Sequence, residues 1–101
     1  MKPQVVALIA LGPIPGEDDE ESPLEQWESA LCSIAAPLTD EEAQAVLKLF
    51  PPDLAFGLGF TLLHLVEGAP SWSKHMASDI SEPEWRERAL RRLANAAIPP
   101  Q

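Results

Sequence analysis

The sequence has only one cysteine and only seven basic residues. The first shortage bears on the compartment in which the protein works, and the second bears on its partners. Because Cys32 has no second cysteine to pair with, an intramolecular disulfide is excluded and we expect a cytoplasmic protein. The few lysines and arginines leave a formal net charge of −9. A field of that sign repels nucleic acid phosphates and anionic lipid headgroups, so we expect neither nucleic acid nor a membrane as a partner.

Long apolar runs are also scarce. The seven-residue run Val5–Leu11 near the start is far shorter than the roughly 20 residues that a membrane-spanning helix needs. Periodicity cannot separate a strand from a helical turn in so short a run. For residues 1–11 we predict an apolar arm, formed as a short helix or an extended segment packed on the core.

Patterns typical of catalysis and of metal sites are missing as well. His64 and Glu67 are three residues apart, but a zinc site needs three or four ligands, and His75 and Cys32 lie at no recognisable spacing from them. No serine stands with a histidine and a carboxylate in a signature order. We therefore predict a protein without enzymatic activity, metal or cofactor, in which His64 is a core residue and Cys32 is a buried, inert thiol.

Helix signals, in contrast, are frequent. Three capping-box patterns each precede apolar residues at helical spacing, and they lie at Ser22–Glu25, Thr39–Glu42 and Ser81–Glu84. Eleven prolines divide the 101 residues into short segments, and the 46% hydrophobic composition suffices for one core. The sequence predicts a single all-α domain over residues 1–101, with its helical core at 22–98.

The most apolar stretch lies between Pro51-Pro52 and Gly68. It predicts a central helix, Asp53–Glu67, that is apolar on nearly every side and must therefore be covered on all faces. Its two glycines, Gly57 and Gly59, cost helix stability and indicate close approach of a neighbour such as Trp27 or Trp85. We expect a compact bundle of about four helices around this central helix.

Acidic residues concentrate in the first half of the chain, which holds ten of them against two basic residues. Prolines and glycines in the segment 12–21 predict an exposed loop, and its end carries five consecutive carboxylates. The loop is either a solvated linker or a docking surface for a basic partner. For docking we predict seven acidic residues and one aromatic anchor: Glu17, Asp18, Asp19, Glu20, Glu21, Glu25, Glu28 and Trp72. Trp27 is a second candidate anchor.

In size and charge this small acidic domain resembles toxin-neutralising immunity proteins and other protein inhibitors, which place carboxylates against a basic active site. The resemblance implies a monomer or weak homodimer that binds and neutralises a protein with a basic surface. Two alternatives stand beside it. One is an assembly subunit that self-associates through its apolar arm, and the other is a DNA mimic whose carboxylates are spaced like phosphates.

Overall fold

The computed structural model describes residues 1–17, 24–35 and 37–96, and within them all regular structure is helical. This confirms the all-α prediction. Asp18–Glu21, together with the predicted helix start at Ser22 and Pro23, lies outside the described residues. Six α-helices occupy the described part of the chain, namely α1 Pro3–Leu11, α2 Leu24–Cys32, α3 Asp40–Val46, α4 Leu58–Glu67, α5 Lys74–Ala77 and α6 Pro83–Ala96.

The apolar arm is helix α1. Pro3 stands at its start, where the missing amide hydrogen costs no helical hydrogen bond, and Val5 and Leu8 are fully buried. Just before the helix, the Lys2 backbone amide and Nζ donate to the two carboxylate oxygens of Glu42 in α3, at 2.7 and 2.8 Å. The arm is therefore both packed on the core and tied to a neighbouring helix.

The capping box at Thr39 forms as predicted. The Thr39 hydroxyl accepts the Glu42 amide at 3.1 Å, and the Glu42 carboxylate accepts the Thr39 amide at 2.9 Å. The capping box predicted at Ser81 does not match the start of α6. That helix begins at Pro83, so Ser81 lies two residues before it and not in the capping position immediately before it. Pro83 nevertheless occupies the first helical position, where proline is favoured.

The central helix is shorter and less enclosed than predicted. It begins at Leu58 rather than Asp53, because the preceding residues form a left-handed turn instead of a first helical turn. The Asp53 carboxylate accepts the amide of Ala55 within that turn, at 2.8 Å. Although α4 buries Leu62 and Leu63, it leaves His64 exposed, so the predictions of all-round burial and of a core histidine are wrong.

Trp85 of α6 lies at the centre of the packing and is fully buried. Phe50 packs on its ring with centroids 5.4 Å apart, and Phe60 meets it edge-on at 5.1 Å. A Cβ atom at Gly59 would overlap the Trp85 indole, which confirms the predicted close approach. Cys32, at the end of α2, is exposed, so the prediction of a buried thiol is wrong.

Candidate functional site

The turn that precedes α4 displays an aromatic side chain to solvent. We call Asp53–Gly57 the Phe56 turn. Phe56 is 75% exposed and Leu54, two residues before it, is 43% exposed. Phe56 is thereby the most exposed large apolar side chain that the structure describes. A single exposed apolar side chain is ordinary on a protein surface, but the 75% exposure of Phe56 forgoes most of a burial worth about 1.5–3 kcal/mol, and Leu54 is exposed beside it in sequence.

Three hydrogen bonds through Asp53 hold the Phe56 turn, one within the turn and two to other parts of the chain. One carboxylate oxygen accepts the Ala55 amide at 2.8 Å, and the other accepts the Glu17 amide at 2.9 Å. The Asp53 carbonyl accepts the indole N–H of Trp85 at 3.1 Å. The turn is therefore fixed to the segment before α2 and to the centre of the core, and Phe56 projects from a rigid base.

The backbone of the Phe56 turn is strained. Ala55 and Phe56 have φ angles of 48° and 53°, in the left-handed region that side chains with a Cβ disfavour, and Gly57 follows with 93°. Each non-glycine residue in this region costs on the order of 1–2 kcal/mol. Ala55 is fully buried, so packing in the core offsets the strain at that residue. Phe56 is exposed, so no such packing offsets the strain there.

The acidic segment starts at the Phe56 turn. Gly16 lies against this region closely enough that an added Cβ would be 3.1 Å from Pro52 and 3.2 Å from the Asp53 carboxylate. Glu17 follows, with an exposed side chain and its amide on Asp53. The structure therefore places the backbone of the first predicted docking residue, Glu17, against Asp53 of the Phe56 turn, and the carboxylates of Asp18–Glu21 lie outside the described residues.

The other predicted docking residues lie elsewhere. Glu25 and Glu28 are exposed on α2. Trp72 lies half-buried against the core, in the turn that follows α4. Trp27 is only 8% exposed and donates its indole N–H to the Gly12 carbonyl at 3.1 Å, so it serves the fold rather than a surface contact.

Two carboxylates of α3 have internal partners. The pKa of Glu42 is lowered to about 2, first by the hydrogen bond from the Lys2 ammonium and then by the amides of Thr39 and Lys2. The pKa of Asp40 is lowered because the hydroxyl and amide of Ser71 donate to it, at 2.7 and 2.8 Å. These acids link α3 to the elements around it and are not offered to a partner.

Glu67 also has an internal partner. Its two carboxylate oxygens accept from Arg92 of α6, at 2.7 and 3.0 Å, while His64 faces solvent. Across residues 1–17, 24–35 and 37–96, no group of three or more His, Cys, Asp or Glu side chains is placed to hold a metal ion. Within the same ranges, no helix has the length and apolar character needed to cross a membrane.

A shallow depression of about 190 Å³ lies on the outer surface of α6. Four charged residues of that single helix line it, namely Glu84, Glu87, Arg88 and Arg91. Glu87 and Arg91 form an ion pair at 2.9 Å, and the Arg88 guanidinium lies 4.6 Å from the Trp85 ring centroid. The two acidic and two basic side chains balance in charge. Arg91 is paired with Glu87, whereas Nη1 of Arg88 is buried without a hydrogen-bond partner among the residues that the structure describes.

Compared with protein-family models, curated proteins and solved structures, the chain matches none of them. The Phe56 turn is the functional candidate that the sequence reading missed, because it placed Phe56 inside a buried helix. A signal was available. Pro51-Pro52 followed by Asp53 favours a turn closed by the aspartate side chain as much as it favours a helix start.

Proposed function

We propose that this chain is a non-catalytic binding module that inserts Phe56 into an apolar pocket on a protein with a basic surface and thereby neutralises that protein. One observation carries the proposal: Phe56 is 75% exposed on a strained turn that three hydrogen bonds through Asp53 hold in place. Folding gains nothing from exposing the ring, whereas an interface with a partner gains its burial.

An aromatic side chain that projects from an already fixed turn is well suited to anchor a binding partner. A few buried aromatic residues usually carry most of the affinity of a protein interface. The free energy of binding is reduced by whatever must be ordered at the interface, and a turn already fixed to Trp85 and Glu17 leaves little to order. The backbone strain is then a cost of presenting the ring, met within the free protein.

The acidic segment supplies the electrostatic part of the proposal. Glu17 stands beside the Phe56 turn and begins five consecutive carboxylates. Exposed charges act over a Debye length of about 8 Å at physiological salt, and they raise the association rate of an oppositely charged partner more than they slow its dissociation. We therefore assign the acidic residues to the encounter with the partner and Phe56 to the persistence of the complex.

Affinity capture with matched baits tests this function. The wild-type chain, F56S and V6S are used in parallel; V6S truncates Val6, an apolar residue that is also exposed, at 52%, but lies on α1 and not in the Phe56 turn. The partner is the protein retained by the wild-type and V6S baits but not by F56S. A partner retained equally by all three baits would contradict the proposal.

Binding kinetics with the captured protein then separate the two contributions. We expect F56A to weaken affinity by at least about 30-fold, through faster dissociation at every salt concentration, since an anchor is worth about 2 kcal/mol or more. Serine at Glu17–Glu21 should slow association at low salt only. The free energy of unfolding of F56A should stay within about 0.5 kcal/mol of wild type. Wild-type dissociation by F56A would remove Phe56 as the anchor.

A further inference from the structure

Three residues separate the Phe56 turn from a continuous helix with α4. Leu54, before them, has φ −75° and ψ −19°, and Leu58, after them, has φ −63° and ψ −32°, so both already have helical backbone angles. Between these two, Ala55–Gly57 all have positive φ. Neither the turn nor α4 contains a proline that would prevent a longer helix. A helix that starts at Asp53 is therefore the nearest alternative to the observed turn.

This alternative helix would move Phe56 to another face of the molecule. Residues four and seven positions apart lie on one face of a helix, so Phe56 would align with Phe60 and Leu63. Leu63 is fully buried, and Phe60 packs edge-on against Trp85. The Phe56 ring would then continue the packed face of α4, and it would no longer project from the surface.

Local interactions do not favour the turn over the helix. Left-handed backbone angles are unfavourable for residues with a Cβ, and burial offsets this strain at Ala55 but not at Phe56. The bond from the Ala55 amide to the Asp53 carboxylate fits both conformations, because an aspartate at a helix N-cap also accepts the amide two residues later. Contacts from other parts of the chain must therefore select the turn.

The Asp53 carbonyl is the group for which the two conformations compete. In a helix that starts at Asp53, this carbonyl would accept the Gly57 amide four residues later. In the structure it accepts the Trp85 indole at 3.1 Å, and the Gly57 amide donates to the Leu54 carbonyl at 2.9 Å. One carboxylate oxygen of Asp53 also accepts the Glu17 amide at 2.9 Å. Both contacts from outside the turn therefore act on Asp53.

We infer that Asp53 is a positioning residue for Phe56: the Trp85 indole and the Glu17 amide bind Asp53 in the turn, and without them α4 begins at Asp53 and the ring is withdrawn. The segment that carries the acidic run thus helps to control whether the ring is presented, since Glu17 is the first residue of that run. The consequence for partner binding rests on the proposed function, whereas the choice between turn and helix is a property of the free chain.

Nuclear magnetic resonance of the full chain tests this choice, because the one-bond Cα–Hα coupling distinguishes positive from negative φ. G57A adds a Cβ where φ is 93°, and the control G12A adds one where φ is 85° but outside the turn. An added Cβ at either glycine meets no atom of the described residues within 4 Å beyond its chain neighbours. D53S keeps a favoured helix N-cap but offers one oxygen in place of the two that accept the Glu17 and Ala55 amides.

Wild type and G12A should show the coupling of a positive φ at Phe56. G57A should shift the ratio of turn to helix about five- to thirtyfold towards helix, the factor that corresponds to the cost of a Cβ in the left-handed region. With the ratio brought into range by G57A, the double variant D53S/G57A should be at least about twofold more helical again, since one hydrogen bond to the turn is lost.

Four outcomes would overturn the inference. They are a negative φ at Phe56 in wild type, a turn that persists unchanged in G57A, equal helix populations in G57A and D53S/G57A, and loss of the turn in G12A. If the double variant fails to fold, D53S alone is compared with wild type by the same coupling, and an unchanged turn would again contradict a positioning role.

Binding to the captured partner then separates this inference from the proposed function. G57A keeps Phe56, so its dissociation constant should rise by the factor by which its turn population falls. Wild-type affinity in a G57A chain that has lost the turn would show that Asp53 does not position the anchor. If F56A bound as tightly as wild type, the proposed function would fail, and the couplings would still decide whether Asp53 selects the turn.

Discussion

Gly59 has less room for a side chain than any other glycine that the structure describes, because the Trp85 indole occupies the position that a Cβ atom would take. We expect G59A to lower the free energy of unfolding by about 1–3 kcal/mol, since overpacking outweighs the gain of roughly 1 kcal/mol in helix propensity. Urea denaturation measures the change.

Gly68 offers a matched control for that substitution. Its φ is −81°, and an added Cβ would meet the Leu65 carbonyl oxygen at an ordinary 3.5 Å. We expect G68A to be neutral or to stabilise the protein by up to about 1 kcal/mol, because alanine reduces the freedom of the unfolded chain. If G59A and G68A had equal stabilities, Trp85 would not be packed on α4 as described.

The surroundings of a single residue were predictable from the sequence only where that residue carries an energetic cost within its own helix. Two glycines in one helical stretch signalled close packing, and Trp85 confirms it at Gly59. The burial of Cys32 and His64 was mispredicted for a common reason. The sequence of a helix with apolar residues on several sides does not show which side its neighbours cover. It therefore does not determine whether a residue at the edge of the apolar face is buried or exposed.

At the scale of helices, the contact between α1 and α3 rests on a buried carboxylate. Glu42 is fully buried, and its pKa is lowered from 4.5 to about 2 by Lys2 and Thr39. The native state therefore binds the proton less tightly than the unfolded chain does. The stabilisation is complete above the ordinary pKa near 4.5 and is lost as the pH falls towards 2.

We expect E42Q to be less stable than wild type at pH 7 and to lose less stability on acidification between about pH 5 and 2. The urea midpoint measured across that range reports both effects. E41Q, which changes the exposed neighbour on the same helix, should keep the wild-type pH profile. A wild-type profile in E42Q would show that the link to Lys2 contributes nothing to acid sensitivity.

Whole helices were predicted well where their ends are defined by nearby residues. The capping box of Thr39 and Glu42 needs only side chains three positions apart, and it formed as expected. The start of α4 was mispredicted because an aspartate such as Asp53 can either cap a helix or close a turn. The choice was made by the amide of Glu17 and the indole of Trp85, which are distant in sequence and come together only in the fold.

At the scale of the whole molecule, the acidic excess makes stability depend on salt. At a net charge of −9, the compact state carries a self-repulsion that added ions screen. In dilute protein at pH 7 we expect NaCl, raised from about 10 to 200 mM, to increase the melting temperature by roughly 2–4 °C, corresponding to about 0.5 kcal/mol. Near the isoelectric point of 4.4 the same salt step should have little effect. An equal rise at both pH values would point to a cause other than charge.

The hydrogen bond from Trp85 to the Asp53 carbonyl gives this protein an intrinsic optical probe. The indole is shielded from water, yet it contacts the backbone of the Phe56 turn directly. A molecule that binds Phe56 replaces water beside this turn and so changes the electrostatic environment of a buried fluorophore that it does not touch. Emission from the unlabelled chain therefore provides a titration signal for the Phe56 surface, with W85F as the blank that removes this contribution and leaves those of Trp27 and Trp72.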